Sequence, residues 1–503
     1  MSFKSLKNII DNIKKLDFEV EDYKKVVQNP YIPPLAYVNW AIHLAEIGNI
    51  TEAEEKLISA TLMAHQTPEA YINLGILKCR NKEYEEAKKF YIKALRLDRN
   101  NSKAFCFLGN VHTEIGEYKE AEKNFARALK IDPNNSDIFL NWGISLLRQR
   151  KFELAKEKLQ KANKFNSTNF NSLYFLALID TELGDFKAAK EKFKLLTSAI
   201  PDHHEAFYYL AYIYYKEDNY EKSLEFALKS FELFSKKPET YMLIAENYMN
   251  LENEQESYKY YELGEKECKM NYYSYISWGI SLQHFKRYEE SKEKFYKALE
   301  LDEKNDLALS YLGISHYKIQ DYDKAIDFFQ RALEINPKNP VAFNNLGQIS
   351  FDRENYKEAI KYFELVLKNT AKAVDNYGKI ANAHFLDGNI VKANEYYQKA
   401  LQYQPDKMSV HLDYAKALIE QKEYEIALKK LQNAYKMEDN NLDCLNLLFY
   451  VNYTLAKENL SDYNIEKAME FAQKIQNNYP DFFSYSDEKK ELAELRLKAK
   501  AGQ

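Results

Sequence analysis

From Pro34 onward the chain returns to one residue pattern every 34 positions, twelve times without a gap, as far as Asn441. A repeat of that length is a single supersecondary unit that cannot bury its own apolar face, so its neighbours must stack on it along one axis. A length of 503 residues would otherwise suggest about three separate domains, but a continuous array needs no separate cores. The repeat predicts an elongated array with a long concave face in place of a closed pocket.

Repeat three, Ser102 to Asn135, shows how the unit is built. Phe105, Leu108 and His112 share one face of a first helix. Ala121, Phe125 and Ala128 share one face of a second, with a turn at Gly116-Glu117 between them. Pro133 stops the second helix, because proline cannot continue the hydrogen-bond ladder. Place 8 is Gly or Ala in all twelve repeats, from Ala41, Gly75 and Gly109 to Ala415. Place 20 is Ala or Ser throughout, and place 17 is Tyr or Phe in nine repeats, including Tyr84, Tyr118 and Phe152. Small residues at 8 and 20 let the two helices approach closely, and an aromatic at place 24 fills what remains.

On these residues the chain resembles the tetratricopeptide repeat (TPR) family over nearly its whole length. The resemblance implies an all-α, right-handed superhelical α-solenoid of helix-turn-helix repeats. It also implies that ligands lie along the inner face of the first-helix series, at places 2, 5, 6, 9 and 12. The expected organisation is a helical cap pair over 1–33, twelve repeats over 34–441, an irregular thirteenth repeat with seven inserted residues over 442–480, and a capping helix and tail over 481–503 with Ser486 as N-cap. Repeats six and seven, His204 to Asn271, are the least regular, with Ser223, Ser230, Ser257 and Gly264 at places usually held by alanine, and a flexible joint is expected there.

Composition narrows the function classes. Lys and Arg number 71 against 76 Asp and Glu, a net charge of -5, which argues against a phosphate backbone as ligand, since that needs clustered cations. Cys79, Cys106, Cys268 and Cys444 are scattered without metal-ligand spacing and fit reduced thiols in a cytoplasmic setting. His112, His316 and His384 recur at place 11, a packing position, so no metal site is expected, and His203-His204 reads as a solvated inter-repeat loop. No stretch reaches the ~20 apolar residues that span a bilayer, so no membrane insertion is expected, and the amino terminus lacks the apolar core of a secretory signal. No phosphate-cradling glycine loop, nucleophile elbow or H-E-x-x-H is present, so neither enzyme nor cofactor is expected.

Reading the ligand-bearing places down the chain singles out repeats five to seven. Tyr174, Phe175, Tyr208, Tyr209, Tyr212, Tyr215, Met242, Glu246 and Met249, with Leu178 and Leu243, form an aromatic and methionine stretch beside Glu205 and Glu239. Such side chains bury much area at low entropic cost, which suits a peptide or helix carrying apolar anchors and some Lys or Arg. Asn39, Asn73, Asn141 and Asn345 recur at place 6. They resemble the asparagine ladder of the superhelical arm of O-linked N-acetylglucosamine transferase, which implies clasping of extended peptide backbone. The 23 residues after Pro480 are too few for a catalytic half of that kind. The Lys and Asn set that holds chaperone C-terminal tails is not assembled by any three neighbouring repeats. The expected function is a non-catalytic scaffold binding a protein partner in the groove. The alternative is a structural or regulatory subunit of a larger assembly, serving for example a separate transferase or secretion machine through its outer faces.

Overall fold

The computed structural model describes residues 34–63, 67–168, 170–370, 373–480 and 485–500, so the cap pair expected over 1–33 lies outside the described residues. These residues form 27 α-helices and no strand. The chain divides into two compact units between Leu251 and Glu252, in the turn separating the two helices of repeat seven.

Within each unit the helices keep the 34-residue register. In repeat three they are Ser102–Glu114 and Tyr118–Ile131, in repeat five Phe170–Glu182 and Phe186–Ala199, and in repeat ten Pro340–Asp352 and Tyr356–Asn369. One turn geometry joins the two helices of every repeat. The residue at place 15 takes positive φ in all twelve, as glycine in Gly48, Gly116, Gly184 and Gly388 but as a residue with a side chain in eight others, among them Arg150 (φ 56°) and Asp218 (φ 56°). The N–H that follows reaches back to the carbonyl of place 11, as from Glu117 to His112 at 2.8 Å. This satisfies a carbonyl the helix end would orphan and aims the second helix back along the first.

The interior shows why place 8 must be small. A Cβ built on Gly109 would lie 2.8 Å from the Phe125 ring, and one on Gly347 would lie 2.7 Å from Phe363. In five repeats, those of Gly75, Gly109, Gly279, Gly313 and Gly347, the ring of place 24 therefore rests on bare backbone. In repeat five a carboxylate is added: Asp180, fully buried, lies 2.7 Å from Lys156 Nζ and 2.7 Å from Lys192 Nζ, so one anion ties together second helices of adjacent repeats. Where repeats six and seven substitute serine for alanine, the hydroxyls find partners in the core. Ser223 donates to the Ala211 carbonyl, Ser230 donates to the His204 carbonyl, and Ser257 lies 3.0 Å from Ser281. Gly264 is buried beside them.

In the thirteenth repeat the seven extra residues lengthen both helices, Leu442–Asn459 and Asp462–Asn478. The last helix, Ser486–Lys500, begins at Ser486 itself. Ser486 is therefore not the N-cap: the Tyr485 carbonyl accepts the first helical bond, from Lys489 at 2.9 Å, which puts the cap one residue earlier. Tyr485 stacks on Phe449 at 3.9 Å between ring centroids, and Leu492 is fully buried, so this helix closes the apolar end of the second unit.

Candidate functional site

Four successive first helices, from Pro34–Glu46 to Ser136–Arg148, wall a cavity of 550 Å³ in the first unit. Its floor is apolar, with Val38, Ile72, Cys106 and Ile138 all nearly buried. Beside the floor stand Asn39, Asn73 and Asn141, three of the four asparagines of place 6, interrupted by Phe107. Glu69, Lys103 and Asp137 edge the cavity. Because side chains at the same place of successive repeats lie side by side, the repeat alone generates this row of amides over aliphatic side chains.

The three asparagines are not equivalent. Asn73 Nδ2 donates to the Glu69 carbonyl of its own helix at 2.9 Å, an i to i-4 bond that leaves its Oδ1 without a protein donor among the described residues. Asn141 is tied at both ends: Nδ2 donates to the Asp137 carbonyl and to Cys106 Sγ, and Oδ1 accepts from Asn110 at 3.1 Å. Asn141 thus positions its neighbours instead of offering a free amide. Asn345 belongs to the second unit, where its Nδ2 donates to the Val341 carbonyl at 2.8 Å. Cys106 joins the cavity lining from place 5, and Asn110, at place 9 of the same helix, supports it through Asn141. Burial pushes the Cys106 thiol up to about 12, so it serves as a small apolar wall.

The aromatic stretch has a different character. Tyr209 lies flat on Phe193 at 5.5 Å, and Tyr174 meets Phe175, Phe193 and Tyr209 edge-on. Tyr208 stands against Tyr209 and carries Lys237 Nζ 4.1 Å from its ring centre. Tyr212 and Tyr215 share Lys216, and Tyr215 also packs against Tyr220. Burial first, with nearby charges and rings adding to it, pushes the hydroxyls of Tyr174, Tyr208 and Tyr215 well above the ordinary phenol range. Met242, Glu246 and Met249 are half-buried, whereas Leu243 is buried in the core and so does not face a ligand. The stretch is a packed aromatic wall whose rings face one another and the chain's own lysines.

His203 and His204 are not a solvated loop. The ring of His203 accepts the Ala206 N–H as a helix cap and packs on Tyr174, while His204 stacks on Phe234 at 4.6 Å. His112, His316 and His384 are buried at place 11. His112 Nδ1 lies 2.6 Å from Glu117, and burial holds His316 and His384 below the usual imidazole value. Among the described residues no group of three or more His, Cys, Asp or Glu could hold a metal ion, and no helix is long and apolar enough to cross a membrane.

Family models match in segments. Tetratricopeptide repeat models match residues 68–101, 307–339 and 328–361, the TPR domain of cytochrome c-type biogenesis protein H matches 92–207, and subunit 3 of the anaphase-promoting complex matches 352–434. No curated protein sequence matches the chain. Among solved structures, yeast Tom70 is 17% identical with TM-score 0.46, covering 88% of this chain and 99% of its own. The Cut9-Hcn1 hetero-tetramer of APC/C is 13% identical with TM-score 0.41, covering 84% and 96%. YrrB, described as a TPR protein with an unusual peptide-binding site, is 29% identical with TM-score 0.30, covering 38% and 96%.

Proposed function

Because the chain is a tetratricopeptide repeat protein, an all-α solenoid of helix pairs, we propose that it is a scaffold for other proteins and clasps an extended segment of a partner in the cavity of repeats one to four. The observation that carries this reading is the row of amides above an aliphatic floor in a 550 Å³ concavity. An extended chain offers a main-chain donor and acceptor at each residue and sends alternate side chains to opposite faces. The free Oδ1 of Asn73 accepts a main-chain N–H of the segment, while aliphatic side chains drop onto Val38, Ile72 and Ile138. Asn141, held by Asn110 and Asp137, keeps the cavity wall in place. The scaffold performs no chemistry on the segment. The packed aromatic wall of repeats five to seven bounds the groove and does not receive the main anchor.

The test is selection of twelve-residue segments from a displayed peptide library on the immobilised chain, followed by affinities for Asn73→Ala and for Tyr208→Ala/Tyr212→Ala/Tyr215→Ala. Loss of one hydrogen bond at Asn73 is expected to weaken binding about fivefold, since such a bond contributes about 1 kcal/mol net. The tyrosine variant is expected to bind unchanged. Loss of binding in the tyrosine variant alone would move the site to the aromatic wall.

A second reading is favoured by a separate observation. Leu97, Ile131, Phe165 and Leu233 in the first unit, and Leu301, Ile335, Tyr403 and Met437 in the second, are exposed at the last place of the second helices. These apolar ends fit a subunit docked through its outer faces, and sedimentation of wild type beside Leu97→Glu/Ile131→Glu separates this from a groove binder that is monomeric alone.

A further inference from the structure

In the second unit the inner face changes chemistry at repeats ten and eleven. At place 6 of several repeats an aromatic ring lies flat on the ring at place 24 of the preceding repeat, as Phe107 on Tyr91 (5.7 Å) and Tyr311 on Phe295 (5.8 Å). In repeat eleven place 6 is Lys379, and its ammonium takes the aromatic position, 5.4 Å from the centre of Phe363. The amine donates to Asn344 Oδ1 of the preceding repeat at 2.8 Å. Asn345 adjoins Asn344 on the same helix. Next to Lys379 is Gly378, at place 5, where Val38, Ile72, Tyr174 and Leu412 stand in other repeats. A Cβ built on Gly378 would meet only Val410, at 3.4 Å, so the side-chain space beside the amine is open.

Half-buried lysines elsewhere hold carboxylates: Lys190 pairs with Glu217 at 2.7 Å, Lys297 with Glu265 at 2.7 Å, and Lys156 and Lys192 with Asp180. Lys379 has no carboxylate within ion-pair distance among the described residues. Burial lowers its pKa, opposed only by the more distant Asp375. A cation withdrawn from water and held only by an amide oxygen and a ring face lacks a countercharge, which an incoming anion supplies.

The geometry points to a carboxylate-binding subsite at Lys379, with Asn344 holding the amine and the space beside Gly378 admitting the ligand. Its occupant is the side-chain carboxylate of an aspartate or glutamate on a partner segment lying along the inner face of repeats ten and eleven. This assignment stands independently of what fills the cavity of repeats one to four.

The full chain is treated with an amine-acylating ester at pH 8, and modification of each lysine is followed by mass spectrometry. Three probes are compared: an end-blocked peptide with one glutamate, the same peptide with glutamine, and inorganic phosphate. The glutamate peptide is expected to slow Lys379 acylation about threefold at twice its Kd, the occupancy factor for one site. Lys399, half-exposed and paired with Glu395, is expected to be unchanged. In Asn344→Ala, with folding checked by circular dichroism, the protection is expected to weaken. Equal protection by the glutamine peptide, protection by phosphate alone, or protection by no probe would each overturn the assignment.

Discussion

Repeats one to four and repeats five and six present the same helices, in the same register, to the same face, yet one region holds a cavity and the other a wall. The difference lies in what the side chains at places 5 and 6 do with each other. Asn73 is short and bonds to a carbonyl of its own helix, so the space above it stays empty. Tyr174, Tyr208 and Tyr209 are long and flat enough to reach one another and Phe193, and they bury their faces in that contact. Rings rich in binding potential bind first to their own neighbours. An abundance of aromatics along a predicted groove therefore marks the place where the groove is filled from within.

Four substitutions and one titration break or sharpen this comparison. The largest effect is expected from Gly109→Val, whose side chain would drive into Phe125: about 3 kcal/mol of overpacking, with faster hydrogen exchange in repeats three and four and none in repeat six. Unchanged exchange around Phe125 would break the claim that its ring rests on bare backbone at place 8. Next is Asp180→Ala, which removes the buried anion of repeat five. About 2 kcal/mol is expected, less than for a fully buried pair because Lys156 and Lys192 keep part of their hydration. Chemical denaturation gives the value, and a neutral result would mean the ion triplet does not tie repeats four and five together.

Smaller and opposite in sign is Arg150→Gly, which relieves left-handed backbone in repeat four and is expected to raise stability by about 1 kcal/mol. The same change cannot help at Gly116 or Gly184, so a thermal-shift series across these three turns tests the reasoning directly. Arg148→Ala breaks a 2.8 Å ion pair with Glu114 that is well exposed at both ends, and about 0.5 kcal/mol is expected, decreasing with salt. Cys106 supplies the titration. Burial raises its pKa to about 12, so the reactive thiolate is scarce near neutrality, and alkylation should rise about tenfold per pH unit between 8 and 11 while the fold holds. Protection of Cys106 by a bound peptide would place that peptide in the cavity.

Much of the fold was legible because the repeat states it twelve times: the helix pairs and the small places follow from spacing. The left-handed turn was legible only where glycine occupies place 15, since Arg150 and Asp218 adopt the same φ with no residue-type signal. The candidate site was legible in part. Asn39, Asn73 and Asn141 shared a place in the repeat, but the tethering of Asn141 by Asn110 depends on a neighbouring helix and has no local mark. Leu243 shows the same limit: its place suggested the groove, and packing buried it.

What the sequence by itself determined is periodic: a unit of two amphipathic helices, too small to bury its own face, must stack, and its small and aromatic places must meet once per repeat. What only the tertiary structure decided is where that stack leaves room. Empty space depends on side chains from adjacent repeats reaching or missing each other across a few ångströms. That is a property of pairs of residues about 34 apart in the chain, and no single repeat carries it.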